Sequence, residues 1–456
     1  MISKPSFKLI GDNPRYERWR WQVFAVTWLT YFGYYLTRKA FSVAKIGMEQ
    51  DPQFHISQDE MAWIDGIYLA TYAVGQFIAG ILADRTGTRK IVAIGMFGSA
   101  LTAAAMGASP VTSALGVLIG LQGVCQSTGW APLVKNVGNF FSQRERGTVL
   151  SLWSTNYAVG GMVASVFAGY WGDLLGWRWA FFAPALAGLA IWALFLAFQR
   201  NRPEDVGLPS VEEYHGEETA VLAETDSIGD SAETTRQESS WQIVKQVLAN
   251  RTVMVMCLAY FLTKPTRYAI LLWGPMYIHK KLDSGMAESG ALSALFELAG
   301  IFGAVSAGVL SDRIFGSRRM PVCVISLLLL GAFLLVIDEL PATRLVLGAS
   351  YLFIGFFVFM PDTILNGPAA VDFGTKRGAG TVAGFVNGAG SVGAILGGTL
   401  PGFFSELWGW SGVFTLLGVM ALLAAAILLP MWNSLPSTAP SPKDRKPSPA
   451  PGRIET

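Results

Sequence analysis

Gly80-Ile81-Leu82-Ala83-Asp84-Arg85-Thr86-Gly87-Thr88-Arg89-Lys90 returns later in the chain as Gly308-Val309-Leu310-Ser311-Asp312-Arg313-Ile314-Phe315-Gly316-Ser317-Arg318. Each copy closes an apolar stretch with a small residue, an aspartate-arginine pair and further basic residues. A second landmark repeats with it. Tyr34-Tyr35-Leu36-Thr37-Arg38 lies in an early apolar stretch, and Thr263-Lys264-Pro265-Thr266-Arg267 occupies the equivalent place in a late one. Asp84 and Asp312 are 228 positions apart, and Arg38 and Arg267 are 229 apart. Two independent landmarks thus share one offset to within a residue, which predicts two parallel repeats. Parallel repeats related by an axis along the membrane normal are a transporter plan in which the substrate sits near the midplane between the halves.

Composition places the chain in a membrane. Apolar residues make up 52% and charged residues 14% of 456, where a soluble domain carries about 25% charged residues. The 50 glycines and 15 tryptophans suit close helix packing and interfacial anchoring. The net charge of +2 carries little information. Cys125, Cys257 and Cys323 all lie in apolar segments and imply neither a disulfide framework nor a metal site. The basic lead runs directly into a full-length apolar segment, so the first helix is expected to be retained.

A spanning helix needs about 20 mostly apolar residues. Such segments fall near 21–46, 61–83, 90–109, 113–139, 147–172 and 178–199, then near 251–278, 287–311, 320–338, 343–368, 378–404 and 411–432. The expected fold is an all-α membrane protein of twelve transmembrane helices, arranged as two parallel six-helix repeats. Residues 1–200 form the first bundle and 251–433 the second, joined by a polar cytoplasmic linker over 201–250. A disordered cytoplasmic tail follows over 434–456, rich in Pro, Ser and Lys.

Basic residues set the orientation. Arg15, Arg18 and Arg20 precede the first helix, and Arg85, Arg89 and Lys90 follow the second. Arg144 and Arg146 follow the fourth, Arg313, Arg318 and Arg319 the eighth, and Lys376 and Arg377 the tenth. The first alternate loop carries Glu49, Asp51, Asp59 and Glu60, and Lys280 and Lys281 are the main exception. Both termini are therefore expected on the cytoplasmic side.

An intramembrane arginine costs several kcal/mol unless it meets water, a partner or a ligand. Arg38 and Arg267, matched across the repeat, read as a clamp for an anion. The planar guanidinium fork gives phosphate two parallel charge-assisted hydrogen bonds. Tyr31, Tyr34, Tyr35 and Arg38 fall at i, i+3, i+4 and i+7, on one helix face. Lys39 lies about 100° around that helix and has two readings, a further binding group or the partner of an acid. Lys264 shares a face with Arg267, and Pro265 between them is expected to kink the helix. Lys264 answers either to a more anionic substrate or to Asp362 or Glu297 as an ion-pair partner. Trp130, with Gln122 and Gln126 on its face, either lines the cavity or packs. Glu297 is expected to pair with a lysine, and Asp362 is either a proton carrier or an ion-pair partner. Asp65 is placed near a membrane surface. The Asp84/Arg85 and Asp312/Arg313 loops are expected to gate the inward–outward equilibrium without touching substrate. Two arginines facing each other across a wet cavity should repel until an oxyanion neutralises them. No nucleotide loop, nucleophile triad or metal cluster is present in the sequence, so the chain is not read as an enzyme and no cofactor is expected.

The repeated loop is the signature of the major facilitator superfamily, and the chain resembles one branch of it, the organophosphate:phosphate antiporters. Tyr34-Tyr35-Leu36-Thr37-Arg38-Lys39, Gln126-Ser127-Thr128-Gly129-Trp130, Ser142-Gln143-Arg144-Glu145-Arg146-Gly147, Arg202-Pro203-Glu204-Asp205-Val206-Gly207-Leu208-Pro209 and Phe296-Glu297-Leu298-Ala299-Gly300 carry the resemblance. It implies a bacterial inner-membrane, multi-pass, monomeric carrier that exchanges glycerol-3-phosphate or a sugar phosphate for inorganic phosphate, with Arg267 on the phosphate. A proton-coupled symporter of another organic anion and a transporter-like sugar-phosphate sensor are the alternatives. Tyr157 stands where the glycerol-3-phosphate carriers have a histidine, Gln76 where they have a lysine, and Leu272 where they have an aspartate. The clamp is retained while the surrounding ring, including Tyr157, is rewritten.

Overall fold

The computed structural model describes residues 13–54, 56–215, 249–316, 318–366, 369 and 379–434. The centre of the expected linker, the tail beyond 434, and Lys376 and Arg377 lie outside the described residues, as do the side chains of Asp84, Arg144 and Arg146.

Among the described residues the chain is helical, with no strand. The first half comprises α1 (Pro14–Gln50), α2 (Gln58–Thr86), α3 (Thr88–Ala108), α4 (Thr112–Ser127), α5 (Trp130–Gly138), α6 (Gln143–Trp153), α7 (Thr155–Leu175) and α8 (Trp179–Phe198). A single turn, α9 (Val211–His215), follows. The second half comprises α10 (Arg251–Leu282), α11 (Met286–Val309), α12 (Met320–Val336), α13 (Arg344–Asn366) and α14 (Ala379–Leu428). The helices α4 and α5 make one span, interrupted at Thr128 and Gly129. The helices α6 and α7 make another, interrupted at Ser154. The helix α14 holds two spans joined at Gly409, whose φ of 67° favours glycine. Each half therefore supplies six spans.

By length and apolar composition alone, seven helices qualify as spans among the described residues. The helices α1, α4 and α10 do not. The first of these carries Arg38, Lys39 and Lys45, α10 carries Lys264 and Arg267, and α4 is only 16 residues long. These helices place their charges inside the protein rather than towards lipid. Apolar side chains such as Ile94 and Val117, 70% and 66% exposed, face outward instead. The first helix starts earlier than its apolar stretch, because the Asn13 side chain accepts hydrogen bonds from the backbone N–H groups of Arg15 and Tyr16 and Pro14 takes the first position.

The halves meet chiefly along two seams, α2 against α14 and α7 against α11, and α1 also packs on α10 between them. In repeat terms, spans two and five of one half face spans five and two of the other, as a two-fold arrangement requires. Small residues permit the approach. A Cβ on Gly290 would stand 2.5 Å from the backbone oxygen of Ser165, so α7 and α11 touch backbone to backbone there.

Candidate functional site

Polar contacts between the halves gather at the end of the bundle away from the repeated loops. Lys45 and Asp65 form a buried ion pair in which Lys45 also donates to the Leu272 carbonyl (3.2 Å) and lies 3.6 Å from the centre of the Trp273 ring. Ser42 donates to the Leu272 carbonyl (2.9 Å), and Lys280 pairs with Glu49 (2.7 Å). Asp173 of α7 accepts the backbone N–H groups of Met286 (2.7 Å) and Ala287 (2.8 Å), capping α11 across the seam. Asp65 is thus 2% exposed inside the protein, not at a membrane surface as expected from the sequence. The reason is Lys45, which neutralises it.

Below this seal, towards the repeated loops, a cavity of about 630 Å³ separates the halves. Arg38 lines it from one half and Arg267 from the other, together with Tyr31, Tyr35, Lys264 and Asp362. Its wall continues past Trp130 and Tyr157 to Ser151 and Gly308 near the repeated loops.

Arg38 is positioned by neutral groups. Its Nε donates to Gln126 Oε1 at 2.7 Å, and Gln126 is itself fixed by Tyr68, Thr37 and Ser99. The guanidinium lies between the Tyr35 and Tyr72 rings, 4.6 and 4.7 Å from their centres. Its Nη2 is buried with no hydrogen-bond partner among the described residues. Tyr31, Trp130 and Tyr157 continue this aromatic wall, with 5.2 Å between the Tyr31 and Trp130 rings and 6.2 Å between Trp130 and Tyr157.

Arg267 is positioned by charge. Its Nη1 forms an ion pair with Asp362 Oδ2, and its guanidinium lies 4.2 Å from the Phe359 ring centre and 5.5 Å from that of Tyr157. Lys264 reaches the other carboxylate oxygen, Oδ1, at 2.7 Å, where the Tyr260 hydroxyl also donates at 2.9 Å. Of the readings open for Lys264, the structure takes the ion pair with Asp362. The repulsion expected between two bare arginines is accordingly reduced, because Arg267 already faces a carboxylate.

Several other residues lie away from the cavity. Of the two readings open for Lys39, the structure shows the one beside an acid, outside the cavity lining. Lys39 is 1% exposed, donates to the Leu271 carbonyl at 2.6 Å and stands 4.0 Å from Glu297. The 100° step from Arg38 turns it into the seam between α1 and α10. Glu297 presses on the backbone of Gly161, with Oε2 buried and unpartnered among the described residues. Tyr34 does not share the cavity face. Its hydroxyl bonds Thr128 (2.8 Å) and the Val92 carbonyl (3.2 Å). Gln122 turns to Thr102, and Gln126 holds Arg38 from behind. At the repeated loops, Asp312 pairs with Arg319 at 2.6 Å, while Arg85 and Arg313 are exposed. Tyr72, Asn387 and Ser391 line the cavity but were not singled out from the sequence. Only Tyr72 left a trace, in the i, i+4 spacing of Tyr68 and Tyr72.

Comparison with known proteins agrees with this architecture. The profile of the Major Facilitator Superfamily matches residues 27–387. A probable hexose phosphate transport protein of Chlamydia trachomatis is 31% identical over 429 residues, covering 92% of each chain. The membrane sensor protein UhpC of Escherichia coli is 29% identical over 427 residues, covering 92% of this chain and 94% of its own. A bacterial homologue of the human lysosomal transporter Spinster, solved in an inward-facing, occupied conformation, superposes with a TM-score of 0.74 at 14% identity, covering 92% of this chain and 97% of that one. The chain is therefore a multi-pass membrane protein of the major facilitator superfamily and belongs to its organophosphate:phosphate antiporter family.

Proposed function

We infer that the protein is a secondary transporter that moves an organic phosphate ester, glycerol-3-phosphate or a sugar phosphate, across the bacterial inner membrane in exchange for inorganic phosphate. The observation that carries this reading is a single cavity faced by Arg38 from one half and Arg267 from the other. The name of the hexose phosphate relative supports the substrate class. A phosphate group has enough oxygens to engage both guanidinium forks at once, so substrate binding joins the halves through charge-assisted hydrogen bonds. Alternating access then follows as the halves rock about the bound ester, opening the sealed end while the end bearing the repeated loops closes. The basic loops put that second end, and both termini, on the cytoplasmic side. Asp84, Arg85, Asp312 and Arg313 bias the equilibrium there by re-pairing. The carrier acts as a monomer, since each chain supplies both arms of the clamp.

Uptake of radiolabelled phosphate into proteoliposomes tests the reading. Uptake should require phosphate or a phosphate ester inside. Uptake driven by a pH gradient with no internal phosphate would instead make the protein a symporter. Saturable binding without flux would make it a sensor, the activity named for the Escherichia coli relative.

A further inference from the structure

The two matched arginines differ in occupancy. Arg38 keeps a buried N–H group without a partner among the described residues and is otherwise held by uncharged groups. Arg267 already carries an anion, Asp362 of α13. That carboxylate is anchored independently of Arg267, because its Oδ1 accepts from Lys264 and Tyr260 while its Oδ2 alone takes the arginine. A phosphate that reaches Arg267 therefore meets an occupied fork. Resting on the reading of this cavity as a phosphate-ester site, we propose that Asp362 is a built-in competitor for the phosphoryl group, a specificity-determining residue that restricts productive binding to dianions.

The charges of the cavity give the reason. Arg38, Lys264 and Arg267 against Asp362 leave a net formal charge of two positive units. A phosphate monoester carries close to two negative charges at neutral pH. Bridging Arg38 and Arg267, it balances the site with Asp362 still present, and Oδ2 is released while Oδ1 stays on Lys264 and Tyr260. A monoanion that displaces Oδ2 replaces one negative charge on Arg267 with another, gains little there, and leaves the cavity positively charged. Tyr260, Lys264 and Arg267 all lie on α10, whereas Arg38 lies on α1. Phosphate thus engages the free arm first, and the occupied arm then selects for charge.

The test uses two sugar esters of nearly the same shape, glucose 6-phosphate and the singly charged glucose 6-sulfate. Their dissociation constants are measured by titration calorimetry on the full chain in nanodiscs. Wild type should bind the phosphate ester about 100-fold more tightly. In Asp362→Asn the gap should shrink to about tenfold or less, mainly because the sulfate ester gains affinity. Equal binding of the two esters by wild type overturns the proposal, and this ratio needs no substitution that might fail to fold. Parallel weakening of both esters in Asp362→Asn also overturns it, since that is how a carboxylate that only positions Arg267 would behave. Binding of neither ester by wild type removes the phosphate-ester reading itself, and the proposal with it.

Discussion

Tyr31, Tyr35 and Arg38 on α1 stand 229 positions before Tyr260, Lys264 and Arg267 on α10, yet the two arms of the clamp are held by different forces. In the first arm, Tyr35 stacks on its arginine and leaves a donor free. In the second, Lys264 occupies the matching position and joins its arginine in gripping Asp362. The comparison shows that a repeat can preserve the position of a charge while changing its electrostatic state. One arm is preorganised and unpaired, the other paired and conditional.

The largest expected effect removes what the arms share. Arg38→Lys and Arg267→Lys should each lower phosphate exchange in proteoliposomes by about 100-fold, since lysine keeps the charge and loses two fork hydrogen bonds. The folded, inserted protein should persist in both. Near-normal exchange by either variant would break the assignment of a two-armed clamp.

The next effect separates the arms. Arg267→Leu should lower stability by about 2 kcal/mol, because it strips a mostly buried carboxylate of one of its two cations, whereas Arg38→Leu orphans no acid. Thermal unfolding of the solubilised protein without phosphate reads the difference. Equal melting temperatures would mean that the second arm is not held by charge.

The smallest effect probes the aromatic support of the first arm. Tyr72→Leu should weaken phosphate binding about fivefold, the loss of one cation–π face worth about 1 kcal/mol. The same phosphate titration on Phe359→Leu should show a smaller change, since Arg267 retains its ion pair. A larger loss in Phe359→Leu would reverse the comparison.

Much of this was legible in the sequence. The repeated loops fixed the two-bundle plan, and charges inside apolar stretches marked α1 and α10 as lining something wet. Periodicity put Tyr31, Tyr35 and Arg38 on one cavity face. It failed for Tyr34, because α1 is packed on several sides and a stripe of tyrosines turns partly into the bundle. Partner choice was less legible. Lys264 with Asp362 and Lys45 with Asp65 are pairings between different helices, and helical spacing carries no information on which helices become neighbours. Lys39 was left between two readings for the same reason. A 100° step separates a group that lines a cavity from one that enters a seam, and only the position of α10 decides between them. Cavity residues such as Asn387 and Ser391 are small and uncharged, so no cost of burial singled them out.

The bend at Gly409 has a mechanical consequence. Of the two limbs of α14, one lies against α2 of the opposite half, where a Cβ on Gly402 would stand 2.6 Å from the Gln58 carbonyl oxygen. The other packs on α12, where a Cβ on Gly418 would stand 3.0 Å from the Gly331 carbonyl oxygen. A single residue joins them, so no loop can stretch or fold to absorb displacement. Displacement of the first limb is therefore passed to the second through one residue, and through it to the rest of its bundle. Such a short joint favours a mechanism in which the two limbs move together with their bundle, with displacement taken up along the seams between the halves.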